Sequence, residues 1–105
     1  SEGMLWQELD RVRVKGRHQP VTIHTVRMAD SGTDLATLRA ELQLWDEALD
    51  AWRNQNFVTC RSKLDLLQRQ NVNFSLYRLC AERVASFLHT PPSATWDGTT
   101  VLDAK

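Results

Sequence analysis

Nothing in this chain approaches the roughly 20 consecutive apolar residues of a membrane span, and no signal peptide is visible. The sequence therefore predicts an ordinary soluble, cytoplasmic domain with no direct membrane contact. Cysteine is scarce. Cys60 and Cys80 are the only two, and both fall on apolar helix positions, which argues against a disulfide framework and for reduced, buried thiols. Together with His18, His24 and His89 they lack any CxxC or HxxxH spacing, which argues against a zinc site. No excess of either charge exists: 13 basic and 13 acidic side chains cancel. That balance argues against binding nucleic acid or a membrane surface through the whole chain. No serine sits in a GxSxG elbow and neither cysteine has an obvious basic partner for nucleophilic catalysis. Ser31-Gly32-Thr33 is too short for a phosphate loop and lacks its lysine.

What the chain does contain starts with a hairpin. Val12 and Val14 alternate with Arg11, Arg13 and Lys15, giving one apolar face and one cationic ladder. Gly16 interrupts the run and Arg17 to Gln19 form the bend. Pro20 restarts the chain, and Val21 to Thr25 alternate again. The opening Ser1-Glu2-Gly3 reads as a tag remnant with no structural weight. Two strands cannot bury an apolar face between themselves, and an isolated hairpin is marginal in water. Val12, Val14, Val21 and Ile23 must be covered by the helices that follow or by a sheet encoded elsewhere.

Glu8 to Arg17, ELDRVRVKGR, followed by Gln19-Pro20-Val21-Thr22-Ile23, resembles the last hairpin of a class III nucleotidyl cyclase catalytic domain. Bacterial adenylate cyclases of this class often read ELDRVRVKGK, a short loop, then EPVTIYEV. The match covers about a fifth of the chain. The remainder is similar to the helical extension that follows the catalytic domain in many such enzymes, ending in a proline pair and WDG, here Pro91-Pro92 and Trp96-Asp97-Gly98. The resemblance implies that Lys15 reaches the triphosphate of ATP. It also implies that the parent works as a homodimer with magnesium or manganese. The metal-binding aspartates, the base-selecting residues and the transition-state asparagine and arginine of that family all lie upstream of this hairpin. No counterpart to them occurs here, so the chain alone should not make cyclic nucleotide, and ATP or GTP preference is not encoded in it.

After a polar link, Ala29 to Thr33, either Thr33 or Asp34 can cap a helix. Leu35, Leu38, Leu42, Trp45, Leu49 and Trp52 recur at steps of three and four, an apolar stripe along about 30 Å of helix. Glu41, Asp46, Glu47 and Asp50 read as its solvated acidic side. Asn54-Gln55-Asn56 ends it, because amides tolerate the left-handed turn. A second helix is predicted from about Asn56 to Gln70. A third runs from about Asn73 to His89, with Leu76, Cys80, Val84 and Leu88 on one face, Tyr77 and Phe87 flanking, and Asn71 or Asn73 as cap. Pro91-Pro92 forbid its continuation. Thr99 to Leu102 has strand character, and Trp96 should pack back on the helices.

Leu44, Ala48, Phe57, Cys60, Leu64 and Leu67 fit the semi-conserved positions of one tetratricopeptide-like repeat, although Val72 stands where proline is usual. The predicted fold class is α+β, mainly α: a hairpin over residues 1–28, then a helical module over 33–105 of three antiparallel helices with an irregular tail. Trp45, Trp52, Phe57 and Tyr77 are the side chains from which a partner groove could be built, the alternative being that they are core. Two functions follow. The chain is the non-catalytic terminal part of an adenylate cyclase, joining or bracing protomers, or it is a free-standing adaptor for a protein partner.

Overall fold

The computed structural model describes residues 3–102. The elements run β1 (Met4–Val14), β2 (Val21–Met28), α1 (Leu35–Arg53), α2 (Phe57–Gln70), α3 (Ser75–His89) and β3 (Thr100–Leu102). This is an α+β fold in which helix predominates, as the sequence predicts. Two compact units result: one holds the N-terminal segment to Arg39 plus the chain from Gly98 onward, the other is Ala40–Asp97. The tail strand thus belongs with the hairpin, not with the helices where the predicted boundary put it, because β3 hydrogen-bonds to β1.

The sheet order is β2-β1-β3, with β1 and β2 antiparallel and β3 parallel to β1. β1 starts at Met4, four residues before the Glu8–Arg17 segment that carries the resemblance. Gly3 also carries structure, since its carbonyl accepts the Ala29 N–H at 2.7 Å and its φ is +76°; Ser1 and Glu2 lie outside the described residues. A bulge shifts the register between Glu8 and Asp10. An extra residue in a period of two moves everything beyond it to the other face. Val12 therefore pairs with Val21 and Asp10 with Ile23 on one face, while Trp6 pairs with Val26 and Met4 with Met28 on the opposite face. Both apolar groups remain open: Val14, Val21 and Ile23 are 39%, 61% and 41% exposed, and Trp6 and Met28 are exposed too.

The link to α1 is an Asx turn. Asp30 Oδ1 accepts the N–H groups of Gly32 and Thr33, each at 2.8 Å. Asp34 is the cap, its Oδ1 accepting the Thr37 N–H at 2.8 Å, and those bonds hold its carboxyl below the usual range.

In the helical unit the α1 stripe is buried as its spacing predicts, with Trp45, Ala48, Leu49 and Trp52 joined by Phe57, Cys60, Leu64 and Leu67 of α2 and by Tyr77 and Val84 of α3. α1 ends in a Schellman turn: the Asn56 N–H reaches the Ala51 carbonyl at 2.8 Å, the Gln55 N–H reaches Trp52 at 3.1 Å, and Gln55 has φ +61°. Trp96 does pack back, its ring 4.8 Å from Trp52 and 5.0 Å from Phe87. Gln55 Nε2 secures that return by donating to the Ser93 and Trp96 carbonyls at 2.8 and 3.2 Å.

Two expectations for α3 are corrected. Neither Asn71 nor Asn73 caps it; Phe74 occupies the cap position without a side-chain bond, and Asn71 instead ends α2. Tyr77 does not flank the buried face but is its most enclosed residue, alongside Val84. The reason is Glu41, which is 2% exposed and not part of a solvated face. Its Oε2 accepts the Tyr77 hydroxyl at 2.6 Å and the Asn71 side-chain amide at 3.4 Å. A buried carboxylate needs such donors, and they draw the tyrosine ring inward.

Candidate functional site

Lys15 is the one position to which sequence reasoning gives a chemical role, and the backbone around it is closely specified. It is the first residue after β1. Its N–H donates to the Leu102 carbonyl at 2.6 Å, so the tail strand, 87 residues on, meets the chain at this point. Gly16 turns the chain with φ +89°, and the Arg17 N–H closes the turn on the Val14 carbonyl at 2.9 Å. A Cβ on Gly16 would meet nothing within 4 Å, so glycine is required by conformation and not by space.

Beside this turn lies a hollow of about 610 Å³. Val12, Val14 and Val21 make its floor, and Gly16 with Arg17, His18 and Gln19 its rim. Lys15 is not in the lining, because strand alternation turns it away from the face that Val12 and Val14 occupy. The pleat of the strand separates Arg11, Arg13 and Lys15 from the hollow, whereas Arg17, beyond the turn, stands on its rim.

A second tether sits two residues before Val12. The Thr100 hydroxyl donates to Asp10 Oδ2 at 3.0 Å, while Asp10 Oδ1 accepts the Arg11 N–H at 2.8 Å. With Val12, Arg13 and Val14 in register with Thr100, Val101 and Leu102, the end of β1 is held on both sides. Sequence reasoning missed this constellation. The only signal was the strand character of residues 99–102, which does not name a pairing partner.

No family model, curated protein or solved structure matches the chain. Its functional reading therefore rests on its own residues.

The aromatic groove is not open. Trp45, Trp52, Phe57 and Tyr77 are 1%, 3%, 6% and 0% exposed. They are brought together, but as core: Trp45 lies 5.4 Å from Tyr77 and Trp52 lies 5.7 Å from Phe57, ring centre to ring centre. A shallow hollow between α1 and α2 is lined instead by Asp46, Glu47 and Asp50 of α1 and by Thr59 and Lys63 of α2. Lys63 Nζ meets Glu47 Oε1 at 2.9 Å and lowers the Glu47 pKa. Both cysteines carry free thiols. Burial, with Cys80 as neighbour, pushes the Cys60 thiol up to about 12, which keeps it protonated and unreactive.

Among the described residues no group of three or more His, Cys, Asp or Glu side chains could hold a metal ion. The magnesium or manganese implied by the cyclase resemblance finds no such ligand set among the described residues. No helix among the described residues is long and apolar enough to cross a membrane.

Proposed function

We propose that this chain is the C-terminal part of a bacterial class III adenylate cyclase. Its hairpin closes the catalytic sheet of the parent, and its helical unit is a non-catalytic interaction and regulatory module. The parent converts ATP to cyclic AMP and diphosphate in intracellular signalling, as a cytoplasmic or membrane-anchored homodimer. Lys15 is the residue this chain lends to the reaction: a compact cation on a flexible stem, suited to the substrate triphosphate.

One observation carries the reading. The strand pair that bears ELDRVRVKGR and QPVTI leaves Val14, Val21 and Ile23 exposed. An apolar sheet face calls for a covering layer. A further sheet region placed against it would supply that layer and would set Lys15 at its margin. The adaptor reading draws on no comparable feature, since its four aromatic side chains are core.

The test is nucleotide titration of this chain and of a longer gene product that includes the upstream region, each with and without Lys15→Ala. ATP is expected to bind only the longer product, and more weakly by roughly tenfold or more after the substitution, the scale of one charge-assisted contact. Equal affinity of the two longer proteins would remove the phosphate role of Lys15.

A further inference from the structure

The hairpin tip is not the free end of a ribbon: the C-terminal tail returns to hold it. We propose that β3 is a positioning strap for Lys15. The Leu102 carbonyl fixes the Lys15 N–H and the Thr100 hydroxyl fixes Asp10, so a segment beyond the helical unit sets the lysine's backbone. This rests on the reading of Lys15 as a triphosphate contact.

Three observations converge on the strap. The bond between the Lys15 N–H and the Leu102 carbonyl is short, at 2.6 Å, and comes at the residue where the ladder gives way to the turn. Thr100 is bonded twice over: by register to Val12 and by its hydroxyl to Asp10 at 3.0 Å. Gly98 and Thr99, which lead into the strand, are buried, whereas Val101 and Leu102 are 52% and 45% exposed. The strap therefore holds through its backbone and one hydroxyl, not through apolar side chains. Three residues of ladder make a weak attachment, since each net hydrogen bond contributes about 1 kcal/mol. Such a strand can be detached by a modest competing force.

The chain path gives this attachment a consequence. The polypeptide leaves the sheet after β2, builds the helical unit, and re-enters the sheet as β3. Whatever binds the helical unit acts on a segment covalently tied at its two ends to β2 and β3, the strands that flank the one leading into Lys15. The strap is thus a positioning element whose removal should alter substrate affinity more than turnover.

The experiment has two arms. In this chain, amide hydrogen exchange is compared between wild type, Leu102→Pro, Thr100→Val and Leu102→Val. Proline removes a ladder donor and disrupts the strand, valine at 100 removes only the hydroxyl, and valine at 102 keeps the backbone. The Lys15 amide is expected to exchange at least about tenfold faster in Leu102→Pro, with Thr100→Val intermediate and Leu102→Val unchanged, while amides in α2 keep wild-type protection. Unchanged Lys15 protection in both Leu102→Pro and Thr100→Val would overturn the strap.

In the longer gene product, KM and kcat for ATP are measured for the same variants and for Lys15→Ala. Leu102→Pro is expected to raise KM by roughly threefold or more with kcat nearly unchanged, and Leu102→Val to restore it. A raised KM in Lys15→Ala with a wild-type KM in Leu102→Pro overturns the strap and leaves the phosphate role standing. A wild-type KM in Lys15→Ala overturns both.

Discussion

Glu41 is the side chain on which the helical unit is most sensitive to a single atom. Its carboxylate is enclosed and relies on donors from α3 and from the α2–α3 connection. Tyr77→Phe keeps the ring and deletes only the hydroxyl, leaving a buried acceptor short of a donor. The expected cost is about 1–3 kcal/mol, read from the urea midpoint. Replacing both partners, Glu41→Leu with Tyr77→Phe, should recover most of that loss, because an apolar pair needs no donors. A double variant as unstable as the single one would show that the carboxylate does more than meet the phenol. Cys60 makes a second residue-scale test. Its thiol is raised by burial from an ordinary 9.0 to about 12. A raised folded value means the contribution is fully present below pH 9 and is lost as pH climbs toward 12, where only the unfolded chain ionises freely. Stability should therefore fall across that window, and Cys60→Ala should flatten the fall relative to wild type.

At the scale of elements, the turn after α1 explains why a glutamine occupies a position where glycine is common. A left-handed φ costs a side-chain-bearing residue roughly 1 kcal/mol, and Gln55 offsets this with its bonds to the Ser93 and Trp96 carbonyls. Gln55→Ala keeps the strain and loses the bonds, so it should cost about 1 kcal/mol. Gln55→Gly loses the bonds and the strain together and should be near neutral. Thermal melts in which the glycine variant is the less stable of the two would contradict this account. The same turn marks what was legible in the sequence. The α1 stripe, the amide stop at Asn54-Gln55-Asn56, a cap at Thr33 or Asp34 and the return of Trp96 all follow from local spacing or side-chain size, and all are present, with Asp34 as the residue that caps. Glu41 was partly legible, since position 41 lies three after Leu38 and four before Trp45, inside the stripe. Its burial, however, depends on Asn71 and Tyr77, 30 and 36 residues away. The bulge at Leu9 and the pairing of β3 were not legible. Register depends on which strands meet, and Asp10 and Thr100 are 90 residues apart. The aromatic groove misled because a large apolar side chain at helical spacing reads the same whether it faces a partner or the core.

For the whole molecule, the contrast between the two units is one of completeness. The helical unit has a closed core of its own, with Trp45, Cys60, Leu64, Leu67, Tyr77 and Val84 at or below 1% exposure. The sheet has apolar residues on both faces and leaves much of them in water: alternation along β2 puts Val21 and Ile23 on one face and Val26 and Met28 on the other, and the bulge in β1 sets Val12 with the first pair and Trp6 with the second. A strand pair with two apolar faces suits a sheet layer covered on both sides better than a two-layer edge. That distinction can be tested by charge. In this chain, Val21→Lys and Ile23→Lys place an ammonium on an already exposed face, and each should shift stability by no more than about 1 kcal/mol. In a longer product whose upstream sheet region covers that face, the same lysines would enter an apolar contact without a partner, at a cost of several kcal/mol. Thermal melts of both proteins, with the cyclase activity proposed for the longer one, then decide the matter. Harmless lysines in the short chain and a failed long enzyme support the covered face. A long enzyme that tolerates Val21→Lys and Ile23→Lys as well as the short chain does would mean these valine and isoleucine side chains meet water in the parent too.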